Sequence, residues 1–353
     1  MYLSKLHLNF FRSYQDRLIE FGPKTNLIVG HNGTGKTNIL EAIYFLSSGK
    51  SFRSSALGQL LKWDSTYTIV TGIINLNDHQ TELECQLSKE IGKVSATRKF
   101  FIDRVVKTRP KYLGTLKTVV FEPEDIRLVT GSPSRRRDYL DSVFSTTQWR
   151  YAGALSQYNR ALKHRNELLD MIRENRSNKS ELFYWDQSLI KNATIIQDFR
   201  QNYIRSVNRY FSQHALSEIQ QLSLNYRPST LSQEKLDQQY ITDLNFGYTQ
   251  AGIHRDDFSF DSKAFSASNK NLAFWGSRGQ QRLSVLALRL AQINYLEETY
   301  HQKPILLLDD IFSELDPEHR QLVVDICQSY QTIFTSAEST TCDILPTSQQ
   351  IIL

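Results

Sequence analysis

The chain opens on alternation. Leu6, Leu8 and Phe10 alternate with His7 and Asn9, which predicts a strand with one buried face. Leu18-Ile19-Glu20-Phe21 predicts a second strand, Gly22-Pro23 a turn, and Asn26-Leu27-Ile28-Val29 a short buried strand. The period then changes, and from Asn38 to Leu46 apolar residues recur at helical spacing. Between 67 and 120 the runs Tyr67 to Ile74, Thr81 to Leu87 and Ala96 to Ile102 predict an antiparallel meander. Residues 151–215 predict a helical hairpin. Leu155, Tyr158, Leu162, Leu169 and Ile172 share a face of its first helix. Leu182, Trp185, Leu189, Ile196, Phe199, Tyr203 and Tyr210 share a face of its second, and the polar residues 175–180 make the turn. At about 1.5 Å per residue such a hairpin projects a few tens of ångströms, far short of a long coiled coil. Residues 222–250 read as a polar connector with strand-like pieces, Leu244 to Tyr248 among them. Leu283, Leu286, Leu290 and Ile293 mark a late helix, and Ile305 to Leu308 predict a parallel strand buried on both faces.

Length changes the picture little: 353 residues make one large or two medium domains. Charge changes it more. The net +5 is mild, so a nucleic-acid surface has to be local. From Arg98 to Arg137 there are eleven basic residues against four acidic ones. Such a stretch binds a phosphate backbone or forms solvated hairpin faces, and charge alone leaves both open. The run His254-Arg255-Asp256-Asp257 is equally open between a surface ion-pair patch and a functional loop. Cys85, Cys327 and Cys342 are far apart, with no C-x-x-C, as expected of reduced thiols in a cytoplasmic protein without a cysteine metal site. No apolar run reaches membrane-span length, and the N-terminus reads as strand rather than signal peptide, so no membrane partner is expected.

Three stretches carry chemistry. Gly30-His31-Asn32-Gly33-Thr34-Gly35-Lys36-Thr37 fits G-x-x-x-x-G-K-[ST] between a strand and a helix. Glycines let backbone N–H groups converge on phosphate, Lys36 reaches the β- and γ-phosphates, and Thr37 offers its hydroxyl to Mg²⁺. At the end of the buried strand, Asp309 is placed to hold Mg²⁺ and Asp310 to orient or deprotonate a water. Ser277-Arg278-Gly279-Gln280 opens a helix and offers a second set of phosphate donors. One nucleotide seldom needs two separate cradles from one chain, which points to a nucleotide shared between two subunits. Arg12, just after the first strand, is within reach of a nucleotide or is a solvated loop charge; its local sequence favours the latter.

In order, these segments resemble the SMC/Rad50 branch of the ATP-binding-cassette ATPases, and within it the RecF family of bacterial replication and repair proteins. The resemblance spans nearly the whole chain: FRSY at 11–14, GHNGTGKTNILEAIYFLS at 30–47, FEPEDIRLVTGSPSRRRDYLD at 121–141, WDQSL at 185–189, AGIHRDDF at 251–258, GSRGQQR at 276–282 and LLLDDIFSELD at 306–316. It implies an α/β fold, an ABC-type P-loop ATPase head with a mixed sheet and a helical arm lobe. The head is expected over 1–118 and 251–353 and the arm over 119–250. Implied cofactors are ATP and Mg²⁺. ATP would lie in a head-to-tail homodimer, between Gly30 to Thr37 of one subunit and Ser277, Gly279 and Gln280 of the other. The resemblance moves Arg12 toward a nucleotide contact, makes Ser313 to Asp316 the D-loop, and puts Glu122 to Asp125 in the Q-loop's place. It also implies single- and double-stranded DNA and RecR- and RecO-type mediators as partners, with RecA loading at single-strand gaps and the SOS response as the setting.

The chain departs from the wider ATPase pattern. Asp310 stands where most carry Glu, so hydrolysis is expected to be slow, with Lys36 and Asp310 as its residues. Thr332 to Glu338 lacks a switch histidine, and Ile253 replaces the family's usual Pro. The competing readings are a small-molecule kinase, which would leave Ser277 to Gln280 idle, and the ATPase half of a nuclease machine, which calls for a long heptad region. An SMC/Rad50-like ATPase regulating another DNA-processing or protein complex is the remaining alternative.

Overall fold

In the computed structural model the alternating N-terminal segment is β1 (Tyr2–Phe11), with Leu3, Leu6 and Leu8 buried and Lys5 and His7 exposed. Its phase breaks at the end. Phe10 has φ 51°, so Phe11 rather than Phe10 turns into the core. β1 pairs antiparallel with β2 (Tyr14–Glu20). β3 (Thr25–Val29) leads to α1 (Lys36–Ser48), and a meander follows of β4 (Tyr67–Leu76), β5 (His79–Ser88), β6 (Thr97–Ile102) and β7 (Val105–Lys107). The resulting antiparallel sheet has the order β2-β1-β4-β5-β6-β7. After the short α2 (Arg109–Tyr112), β8 (Thr118–Phe121) leaves the meander for a parallel sheet, with Val119, Val120 and Phe121 all buried. The structure describes residues 1–54, 56–76, 79–89, 96–265, 270–314, 317–336 and 348–353. They divide into two units, Met1–Asp125 with Gln292–Leu353, and Ile126–Ala291.

The second unit is mainly helical. It holds α3 (Arg127–Thr130), α4 (Pro133–Ser145), α5 (Trp149–Arg173), α6 (Leu182–Gln213), α7 (Ser217–Gln220), β9 (Leu222–Arg227) and α8 (Gln233–Phe246). It continues with β10 (Asp257–Ser262), α9 (Leu272–Trp275) and α10 (Arg278–Tyr300) as far as Ala291. Residues 251–291, expected with the head, lie in this unit because β10 pairs along its length with β9. The middle of the expected connector is α8, capped by Ser232 at its start and by Gly247, φ 75°, at its end. So Leu244 to Tyr248 are a helix end rather than a strand. Pattern alone misses α8 because only Leu236 and Asp243 of it are buried.

The hairpin's buried faces are less apolar than expected. Along α5 they are Tyr151, Ala154, Tyr158, Ala161, Arg165 and Leu169. Arg165 is 1% exposed and donates to Asp186 (2.6 Å), to Asp243 (2.7 Å) and to Thr249 (2.8 Å). On α6, Arg200 is equally buried and donates to Asp141 (2.8 Å) and Asp256 (2.8 Å). Charges this deep persist only when paired and hydrogen-bonded on every side.

Back in the first unit, β11 (Ile305–Asp309), α11 (Pro317–Cys327), β12 (Thr332–Ser336) and β13 (Gln349–Ile352) complete an all-parallel sheet ordered β13-β3-β12-β11-β8. α1 packs between this sheet and the antiparallel one, so Ile39, Leu40, Ala42, Ile43, Phe45 and Leu46 are all buried. The approach is close. A Cβ on Gly72 of β4 would lie 2.4 Å from Leu46. Cys85 and Cys327 are buried free thiols; Cys342 lies outside the described residues, as do Ala337 and Glu338. Among the described residues no helix is long and apolar enough to cross a membrane.

Replacing Arg165 with Met would leave Asp186 and Asp243 buried without a counter-charge. The expected loss is about 3–5 kcal/mol, read from urea unfolding followed through Trp185 on the adjacent helix. A loss under ~1 kcal/mol would contradict the pairing.

Candidate nucleotide and metal site

β3 ends at Val29, and the loop from Gly30 to Gly35 turns back into α1 at the carboxyl edge of the parallel sheet. Gly33 and Gly35 have φ of 86° and 101°, the left-handed region where side chains strain the backbone. Gly35 also lacks room, since an added Cβ would sit 2.8 Å from the Tyr14 hydroxyl and 3.0 Å from Ser13 Oγ. Lys36 is buried and folds over the loop, donating to the carbonyls of Gly30 (2.5 Å) and His31 (2.9 Å). His31, Asn32 and Gly33 are exposed at the loop tip, and Thr34 Oγ1 donates to the His31 carbonyl (2.9 Å).

β12 lies between the loop strand β3 and β11, and it supplies a residue that local sequence did not reveal. Thr37 Oγ1 donates to Asp309 Oδ1 at 2.9 Å, and Thr335 Oγ1 donates to the same oxygen at 2.6 Å. Thr335 also accepts the backbone N–H of Asp310 through Oγ1 (3.2 Å). Asp310 has φ 46°, a conformation uncommon for a non-glycine residue, at the first position past the strand. The oxygen set fits Mg²⁺, which takes one or two protein oxygens and fills the rest with phosphate and water. Among the described residues no cluster of three or more His, Cys, Asp or Glu gathers.

Arg12 is not a solvated loop charge. Its side chain is 20% exposed and makes a two-pronged pair with the fully buried Glu41 of α1, Nε at 2.8 Å and Nη2 at 2.6 Å. Ser51 Oγ donates to the same carboxylate at 2.5 Å. The left-handed turns at Phe10 and Arg12 (both φ 51°) and the Arg12 N–H on the Leu60 carbonyl (2.8 Å) aim this side chain. Glu41 was unreadable in sequence, being one polar position on an amphipathic helix whose partner lies 29 residues away. The Tyr14 hydroxyl, against Gly35, is buried without a hydrogen-bond partner, and burial raises its pKa despite the opposing charge of Arg17.

The second donor set lies in the helical unit. Ser277 N–H donates to Gln280 Oε1 (2.9 Å) and Gln280 N–H to Ser277 Oγ (3.3 Å), a reciprocal cap at the start of α10. Ser277, Arg278, Gly279 and Gln280 are all exposed, next to Phe274 (80%) and Trp275 (56%). Among the described residues a Cβ on Gly279 would meet only Ser277 Oγ, at 3.9 Å, so none of them demands that glycine. The expected D-loop over 313–316 runs beyond the described residues. Glu122 to Asp125 follow β8, beside the Asp309 strand, where the Glu122 N–H donates to Asp125 Oδ2 (3.2 Å).

Two open stretches resolve. His254 to Asp257 form no surface patch. Asp256 is fully buried and accepts from Arg200 (2.8 Å), Gln197 (2.9 Å), Tyr226 (2.5 Å) and the Ser229 N–H (2.7 Å). Asp257 takes both prongs of Arg136. His254 donates Nε2–H to the Thr249 carbonyl (3.0 Å) and accepts from Tyr158 at Nδ1 (2.8 Å), and burial lowers its pKa. The basic stretch is not one surface either. Arg136 is buried on Asp257, Arg137 donates to the Asp256 carbonyl and Arg104 pairs with Glu82. Lys117 is buried on the Gly114 carbonyl and Gln302, with its pKa lowered to about 8 by that burial.

The family model RecF/RecN/SMC N terminal domain matches residues 2–347. The DNA replication and repair protein RecF of Thermoanaerobacter sp. (strain X514) is 34% identical over 354 residues, covering 95% of this chain and 94% of its own. Two solved structures of the recombination mediator protein RecF in the RecFOR pathway, RecF-ATPrS and RecF-ATP, match with a TM-score of 0.86 at 31% identity. Each covers 96% of this chain, and 93% and 92% of the solved chains respectively.

Thr335→Val keeps the shape of β12 but removes a hydroxyl from Asp309. Mg²⁺-dependent ATP affinity should fall about tenfold, with binding in chelator unchanged, by calorimetric titration. Equal loss with and without Mg²⁺ would place Thr335 outside the metal's support.

Proposed function

This chain belongs to the RecF family, and from that premise we propose that it is an ATP-switched DNA-binding protein of recombinational repair and replication. The observation that carries the reading is the meeting of Thr37, Asp309 and Thr335 below a glycine loop, a half-site for a nucleoside triphosphate and its metal. The loop N–H groups and Lys36 hold the phosphates once Lys36 exchanges its carbonyl partners for them. Thr37 and Asp309 hold Mg²⁺, which offsets charge on the phosphoryl oxygens. Asp310 orients the attacking water, and its carboxylate, one methylene shorter than the usual Glu, makes hydrolysis slow. Arg12, steadied by Glu41, extends the loop's positive field toward the nucleotide.

The other half of the site comes from a second copy. Ser277, Gly279 and Gln280 close over the partner's nucleotide, and ATP thereby joins two subunits. The exposure of these residues supports the reading, as does a glycine that none of the described residues requires. The closed dimer holds single- or double-stranded DNA at single-strand gaps and, with RecO- and RecR-type mediators, promotes RecA loading and the SOS response. Hydrolysis releases it. The basic residues spent on internal pairs favour a second reading, an SMC/Rad50-like ATPase that regulates another complex through protein contacts alone.

Light scattering and DNA binding, each with ADP, ATP and a non-hydrolysable analogue, separate the two. ATP and the analogue should produce dimers and tighter, salt-sensitive DNA binding; a monomer whose DNA affinity ignores the nucleotide contradicts the proposal. Lys36→Met should abolish both effects. Asp310→Asn should preserve the ATP dimer and prolong it at least ~10-fold, since it spares the phosphate contacts and removes the water's base. Failure of Asp310→Asn to dimerise would remove Asp310 from that role.

A further inference from the structure

Two guanidinium groups here pair through the same edge. Arg12 gives Nε and Nη2 to Glu41, and Arg136 gives the same two nitrogens to Asp257. In Arg109, at the start of α2, Nε and Nη2 are shut from solvent and meet no acceptor. Its neighbour is another cation. α2 packs against β6, and the charge of Arg98 on that strand, after burial, lowers the Arg109 pKa. Arg98 itself donates Nη1 to the Gly49 carbonyl (2.7 Å), at the C-terminal end of α1.

The surroundings do not relieve this. Arg98 shares a sheet face with Phe100, and Lys107, directly opposite Phe100 in the ladder, projects to that face as well. β5 offers the same face Cys85 and Leu87, both buried and apolar, while Glu84 turns to the other side and bonds Thr71 and Gln86. An arginine cannot shed its proton to escape such a site. A desolvated, unmade pair of hydrogen bonds beside a like charge is a standing cost, and an anion removes both parts of it.

We propose that Arg98 and Arg109 seat one backbone phosphate of bound DNA. The empty fork of Arg109 supplies the two parallel donors that phosphate oxygens accept, and one phosphate between the two cations cancels their repulsion. Arg109 is only half-buried, so rotation about its chain torsions carries the fork to the surface. Lys107 and the exposed Lys111 continue the positive track on either side. The proposal rests on the DNA-binding reading above and adds to it the place where the backbone is held.

The test is Arg109→Gln in the full chain, compared with wild type for DNA affinity across a salt titration, ATP affinity and thermal midpoint. The expected result is a DNA affinity about three- to tenfold weaker, uniform across sequences, with the salt slope reduced by about 1. ATP affinity should be unchanged and the thermal midpoint equal or higher, because a burdened cation has been removed. Arg109→Lys should restore the salt slope but only part of the affinity. A destabilised Arg109→Gln protein would mean the arginine serves folding, and overturns the site. Wild type that binds DNA while Arg109→Gln binds it equally well overturns the site alone; wild type that binds no DNA overturns the preceding reading and this one together.

Discussion

One carboxylate oxygen organises the nucleotide-binding unit. Asp309 Oδ1 receives hydroxyls from Thr37 and Thr335, residues on different segments, the first of them 272 positions away in sequence. Each bond to a charged acceptor is worth ~1.5–3 kcal/mol, and the two form together in a sheet where β3, β12 and β11 lie side by side in that order. Parallel strands deliver all three ends to one edge of the sheet. The close approach of α1 to Gly72 sets where Thr37 begins, and the Arg12–Glu41 pair anchors the same helix one turn further on. Packing and chemistry therefore share the same constraint: the loop proposed to hold phosphate is positioned by a helix with almost no exposed face.

The helical unit solves a different problem. Its hairpin is held by buried charges, Arg165 with Asp186 and Asp243, and Arg200 with Asp141 and Asp256. Such pairs contribute less net stability than an apolar core would, because desolvation offsets attraction. They are directional, however, and the residues they tie are the ends of helices and the 251–258 loop. We hypothesise that they fix the register of α5 against α6; a charge-free core of the same volume that kept the same register would contradict this. Arg109 contrasts with both arginines, being half-buried and with Nε and Nη2 meeting no acceptor.

What could be read from the sequence was whatever chemistry writes in consecutive residues. Gly30 to Thr37 and the Asp309 strand are contiguous, and the alternation of β1 and the period of α1 declare a sheet face and a helix. The meander was legible for the same reason. What escaped depends on partners distant in sequence. Thr335 is one hydroxyl in a buried strand until β12 is placed between β3 and β11. Glu41 looks like a surface position of an amphipathic helix until Arg12 meets it. The left-handed turn at Phe10, which reverses the strand's phase, has no signature in a run of apolar residues. The pairings of Arg165, Arg200 and Asp256 have no local signature because only the tertiary fold brings their partners together, and α8 hid because it buries almost nothing.

The central claim is that Gly30 to Thr37 is half a site, completed by Ser277, Gly279 and Gln280 of another copy. Mixing two disabled chains tests it most directly. Lys36→Met breaks one half and Ser277→Arg the other, so each variant alone has every shared site broken. A mixed dimer contains one site broken twice and one site intact. ATP-dependent dimers and ATP hydrolysis should therefore appear in the mixture and be absent from either variant alone. A mixture that behaves as the sum of its two parts would contradict the account.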